Sequence, residues 1–179
     1  MAGESSVRDE IIAAIPRLRA FAVSLCGTVD TADDLVQETL LRALGNLDKF
    51  TVGTNLNAWL FTILRNHFRS RYRKQKREVE DVEGRHSATL TTAPDQIGKI
   101  EIQELKAAMA KLPDDQREAL VLVGAAGFSY EEAAEICGCA VGTIKSRLSR
   151  ARTRLAELMQ VESAAEFGAD APIRGVVTG

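Results

Sequence analysis

Aromatic residues are scarce, 5% of 179, and the Val/Ile/Thr alternation that a half-buried strand needs is almost missing. That scarcity argues against a sheet protein. Cysteine is sparse as well: Cys26, Cys137 and Cys139 are too few and wrongly spaced for a disulfide framework. His67 and His86 do not fall with them into a zinc-like spacing, so small buried or half-buried thiols are expected. The longest apolar run near the start, "IIAAIPRLRAFAVSLCG", is broken by Pro16, Arg17 and Arg19 and has no small-residue cleavage site behind it. A cytoplasmic chain with no membrane contact is expected. A nucleophile–base set, a metal-ligand spacing and a phosphate loop are also missing. The expectation is therefore no enzyme, no catalytic residue, no metal, no cofactor and no small-molecule ligand. Asp33, Asp34 and Glu38 read more simply as a capped helix start than as a metal cluster.

What remains is 45% hydrophobic and 27% charged, rich in Ala, Leu, Glu and Arg. That balance is globular and helical. Formal net charge is only −2, yet "RNHFRSRYRKQKR", residues 65 to 77, holds seven basic side chains and no acid, and "EVEDVE" follows with four acids. The periodicity predicts an all-α chain of two small helical domains, 8–77 and 100–160. Between them, 78–99 is acidic, then rich in Gly, Ser, Thr and Pro, and reads as a flexible linker of about twenty residues. The last stretch, 161–179, has no period and reads as a mobile tail.

In the second block, Ser129 followed three residues later by Glu132 is a capping box that starts a helix at Tyr130. Gly138 ends it after two turns, and a second helix begins near Val141 or Gly142: the helix-turn-helix plan. At about 100° per residue, Ile144, Leu148, Ala151 and Leu155 form one narrow stripe that must face a core. The opposite face is centred on Gly142, Ser146, Ser149, Arg150 and Thr153, with Lys145 and Arg152 on one shoulder and Thr143, Arg147 and Arg154 on the other. Small polar residues around one central arginine suit base edges in a major groove, and shoulder arginines suit phosphates.

In the first block, "VDTADDLVQETLLRALGNL" predicts a helix capped near Asp30, with a core stripe of Ala32, Val36, Leu40, Ala43 and Leu47. Its other face carries Asp34, Gln37, Glu38, Leu41 and Arg42, with Leu35 at its edge. Leucines among charges suggest docking as well as solvation. Next, "FTVGTNLNAWLFTILRNHFRSRYRKQKR" begins with a loop at Gly53, Thr54 and Asn55, and Asn57 is the expected cap of the following helix. Aromatics interleaved with arginines are a means of holding single-stranded nucleic acid. Trp59 is expected in the core, and Phe50 and Asn66 are the better candidates for touching a base.

"DLVQETLLRA" and "GTNLNAWLFTILRN", with "LPDDQREALVLVGAAGFSYEEAAEICGCAVGTIKSRLSRAR", closely resemble the small two-domain bacterial sigma factors of the extracytoplasmic-function group. The resemblance spans roughly residues 8 to 158. Within that group the wording is similar to the EcfG-type factors of the alphaproteobacterial general stress response. It implies a transcription initiation factor that carries core RNA polymerase to promoter DNA, touching the β′ clamp helices and the β subunit. By that resemblance Asp34, Leu35, Gln37, Glu38, Leu41 and Arg42 meet the clamp helices. Phe50, Thr54, Asn55, Ile63 and Asn66 cradle an extruded minus-10 base, with Arg69, Arg71 and Arg73 on the backbone. Extrusion costs a few kcal/mol, which phosphate contacts help offset. Lys145, Ser146, Ser149 and Arg150 read the minus-35 element, with Thr143 beside them and Arg147, Arg152 and Arg154 on phosphates. The resemblance also implies a small helical anti-sigma factor, NepR-like, that holds the factor inactive. A helix-turn-helix repressor is the alternative, and it would need a dimer interface.

Overall fold

A computed structural model of the chain describes residues 2–79 and 98–160; the side chains of residues 2–6, 72, 73, 75–79 and 98–101 are not among those described. Every regular element among the described residues is a helix, and the chain falls into two units. The acidic run from residue 80 onward and the tail from 161 lie outside them.

The first unit holds α1 (Ala2–Cys26), α2 (Val29–Leu44), a single 3-10 turn (Leu47–Lys49) and α3 (Leu56–Val79). α1 thus begins before the expected residue 8. It buries Ile11, Ala14, Leu18, Phe21, Ala22 and Leu25, a three-and-four spacing that keeps one face turned inward. Pro16 lies inside α1 and is exposed; its missing N–H leaves the Ile12 carbonyl without its intrahelical donor, on the solvent side. α2 and α3 pack on α1 and on each other, and Phe21 stacks on Phe61 with ring centroids 5.1 Å apart. Leu60, Phe61 and Leu64 are fully buried. Gly27, at φ +78°, lets the chain leave α1 and enter α2 almost at once.

Two expected helix starts are corrected. α2 begins at Val29 behind Thr28, whose extended backbone makes it the cap residue, so Asp30 sits in the first turn. There its charge still favours the positive end of the helix. Asp33 bonds out of the helix: it accepts from Arg19 Nε at 2.6 Å and ties α2 to α1. α3 is capped by Asn55, whose Oδ1 accepts the Ala58 N–H at 3.0 Å, and not by Asn57.

The second part of the described chain, residues 98–160, holds α4 (Gly98–Ala110), α5 (Asp114–Leu120), a π turn (Val121–Ala125), α6 (Tyr130–Cys137) and α7 (Val141–Met159). α4 and α5 both pack on α7. Ala108, Leu112, Leu120, Leu148, Ala151 and Leu155 form its core. The run "DDQREALVLVGAAG" is therefore not one regular helix: the Ala126 N–H reaches back five residues to the Val121 carbonyl at 2.8 Å, widening the last turn.

Candidate nucleic-acid interface and docking groove

The α6–α7 pair is built by local bonds that can be followed one at a time. Ser129 Oγ accepts the Glu132 N–H at 3.1 Å while Glu132 Oε2 accepts the Ser129 N–H at 2.8 Å, a reciprocal capping box. At the other end Gly138 takes φ +63° and the Cys139 N–H bonds the Ala134 carbonyl at 3.1 Å. That is a Schellman stop, which glycine alone enters without a Cβ penalty. Ala140 is extended and α7 starts at Val141. Ile144, Leu148, Ala151 and Leu155 are each at most 1% exposed. With that stripe fixed inward, Lys145, Ser146, Ser149, Arg150, Thr153 and Arg154 are exposed.

The side chains on that face are not equivalent. Arg150 makes no ion pair among the described residues. Ser146 Oγ donates to the Thr143 carbonyl at 2.9 Å, which fixes its rotamer, and Thr143 itself is half-buried. Lys145 Nζ lies 5.6 Å from the Tyr130 ring centroid, a cation–π contact to α6. Arg147 departs from its expected place on the outer surface. Its Nε pairs with Asp115 of α5 at 3.1 Å and its Nη1 approaches Cys139 Sγ at 3.7 Å, so the guanidinium is engaged inside the unit. Arg154 pairs with Glu157 at 2.9 Å, both side chains more than half exposed, where release costs little. Arg152 is half-buried, with Nε shielded from water and unpaired among the described residues.

In the first unit, Asp34, Gln37, Leu41 and Arg42 are exposed, and Leu41 is 66% so. Leu35 is not with them. At 1% exposure it belongs to the core, which corrects its expected place on the docking face. The inward stripe of α2 is Ala32, Leu35, Val36, Thr39 and Ala43, rotated from the expected one: Leu40 is half-buried and Leu47 lies in the 3-10 turn. Thr39 can be buried because its hydroxyl donates to the Leu35 carbonyl at 2.7 Å.

Beside that face runs a groove of about 410 Å³ lined by Asp34, Gln37, Glu38 and Leu41 of α2 and by His67 and Arg71 of α3. Arg42 Nε donates to Glu38 Oε1 at 3.0 Å. That bond, more than the charges of Arg42, His67 and Arg71, holds the Glu38 carboxyl below its usual range. Desolvation first, then the charges of Arg42 and Arg71, hold His67 below its usual range against the opposing pull of Glu38. His67 was not foreseen here, and Arg71 was expected on DNA.

The loop before α3 holds Phe50 half-buried, its ring 5.2 Å from that of Trp59, which is also half-buried. Thr54 is exposed and its hydroxyl donates to the Thr51 carbonyl at 2.7 Å. Asn55 is exposed and spends Oδ1 on the α3 cap. Ile63 is half-buried and Asn66 exposed. Trp59, Ile63 and Asn66 fall within an arc of about 60° on α3, whereas Arg71, five residues after Asn66, is rotated about 140° from it. Arg71 is thus turned away from Asn66, although it lies only about 80° around the helix from Ile63. Arg69 is half-buried; the side chain of Arg73 lies outside those described. Among the described residues no helix is long and apolar enough to cross a membrane.

Comparison with known proteins supplies a frame for both surfaces. Residues 11–78 match the model of Sigma-70 region 2, and residues 102–155 that of Sigma-70, region 4. The chain is 63% identical over 174 residues to the ECF RNA polymerase sigma factor EcfG of Rhodopseudomonas palustris, covering 97% of this chain and 96% of that one. It is 39% identical over 142 residues to the ECF RNA polymerase sigma factor SigC of Mycobacterium tuberculosis, covering 74% and 72%. Among solved structures, the sigma factor RpoE of Bartonella quintana in complex with the anti-sigma factor NepR is similar. Its TM-score is 0.80 at 53% identity, over 87% of this chain and 98% of that one.

Proposed function

The chain belongs to the sigma-70 family, in its extracytoplasmic-function group, and from that premise we propose that it directs core RNA polymerase to stress-response promoters. Residues 8–77 dock on the β′ clamp helices and open the minus-10 element; residues 100–160 read the minus-35 element and lie against the β subunit. RNA synthesis is the polymerase's chemistry, and the factor supplies recognition. Asp34, Gln37, Glu38, Leu41 and Arg42 form the docking face. Phe50, Thr54, Ile63 and Asn66 form the base pocket, with Asn55 acting through the α3 cap and Arg69 and Arg73 on the backbone. Lys145, Ser146, Ser149 and Arg150 read bases; Arg152 and Arg154 meet phosphates.

The observation that carries this reading is the presence in one chain of two different surfaces: a mixed acidic and apolar face on α2, and an exposed polar face on the second helix of a helix-turn-helix. An operator-binding repressor would need the second and a dimer interface, whereas the part of the chain that carries the α2 face matches Sigma-70 region 2. The Bartonella relative was solved with NepR bound, and we propose that a small helical anti-sigma factor of that kind holds this chain inactive. The docking role is tested by replacing Glu38 and Leu41, both outside the core, with alanine and serine. Co-purification with core polymerase should be lost while helical content is kept; undiminished co-purification rejects it.

A further inference from the structure

A purely acidic docking face would accept any basic partner, and the groove beside α2 is not purely acidic. Glu38 is already matched by Arg42 at 3.0 Å, so its charge is largely answered within the protein. Two further charged groups line the groove, Asp34 of α2 and Arg71 of α3; neither makes an ion pair among the described residues, although the Arg71 charge acts on Glu38 across the groove. The same groove is lined by Leu41, 66% exposed, and His67, half-buried. A volume of about 410 Å³ leaves room for a few side chains of a partner helix.

We infer that the polymerase-docking surface is the α2–α3 groove, not α2 alone, with Arg71 and His67 forming a wall that selects the clamp-helix partner by charge pattern. The partner matching this groove presents a basic side chain toward Asp34, a carboxylate toward Arg71 and an apolar group on Leu41. A complementary pattern of both signs favours one axial register over its shifted alternatives, because a displaced helix meets like charge at both walls. Arg71 is then removed from the minus-10 contacts; it lies about 140° around α3 from Asn66 and about 80° from Ile63. The inference rests on the docking role proposed for α2.

The test is equilibrium binding of labelled full-length protein to core polymerase without DNA, so that nucleic-acid contacts do not enter. Arg71→Glu should weaken binding by about tenfold or more, Arg71→Lys should retain most of it, and His67→Ala should weaken it severalfold, all with unchanged melting temperature. Leu41→Asp serves as the reference for α2. Normal binding by Arg71→Glu while Leu41→Asp fails overturns the α3 wall and leaves the α2 face standing. Normal binding by both overturns the docking role itself. A lowered melting temperature in Arg71→Glu that Arg71→Lys does not restore makes the residue structural and likewise overturns the inference.

Discussion

Replacing Arg150 with alanine separates base reading from simple positive charge. Arg150 sits at the centre of the exposed face of α7 and makes no ion pair among the described residues. Its removal therefore breaks nothing described in the free protein, and folding stability should move by less than about 0.5 kcal/mol. In the complex, an arginine held bidentate on a guanine contributes about 1–3 kcal/mol of discrimination against other bases. At roughly 1.4 kcal/mol per factor of ten, that is about fivefold to a little over a hundredfold. The assay measures holoenzyme affinity for promoters in which each minus-35 base pair is changed in turn. With the native protein every changed pair carries its own penalty; with Arg150→Ala the penalty at one position should collapse while the others persist. Uniform weakening over all templates, with a salt slope reduced by about one, would make Arg150 a phosphate contact and refute the assignment.

Three further outcomes follow from local geometry. Ser129→Ala removes the acceptor of the Glu132 N–H and should lower the stability of the α6–α7 unit by about 1 kcal/mol in thermal or urea melts; an unchanged midpoint would mean that the capping box contributes nothing. Leu148→Ala empties a site 1% exposed among Leu112, Leu120 and Leu155 and should cost about 2–5 kcal/mol, a range that a loss below 1 kcal/mol would contradict. His67 has a folded pKa below its ordinary 6.5, so near that pH the unfolded chain binds more protons. Stability from this group is complete above the unfolded value and is lost as pH falls through the folded one. His67→Gln should flatten that slope in urea midpoints taken on both sides of 6.5, and an unaltered slope would remove His67 as its source.

How much of this was legible in the sequence depended on whether the cause was local. The capping box at Ser129 and Glu132, the stop at Gly138 and the stripe of Ile144, Leu148, Ala151 and Leu155 are set by spacing along one segment, and all three stand where the pattern puts them. α2 was harder. Leu35 and Val36 are adjacent and both buried, and Thr39 joins the core only through its hydroxyl bond to the Leu35 carbonyl. An apolar-only pattern gives Thr39 no weight and therefore rotates the stripe. Helix starts failed where two cap-forming residues competed within a few positions, Thr28 against Asp30 and Asn55 against Asn57. The groove itself had no sequence signal at all. His67 and Arg71 lie about thirty residues from Glu38 in the chain and reach it only because α3 packs along α2. Arg147 shows the same limit: its partner Asp115 is on another helix.

The central claim is that this chain gives core polymerase its promoter choice. Run-off transcription with purified core polymerase tests it directly, on templates carrying stress-promoter minus-35 and minus-10 elements and on templates with either element scrambled. A transcript of defined length is expected only when the protein and both elements are present. No promoter-dependent product from any template in the set, or equal product from scrambled ones, would contradict it.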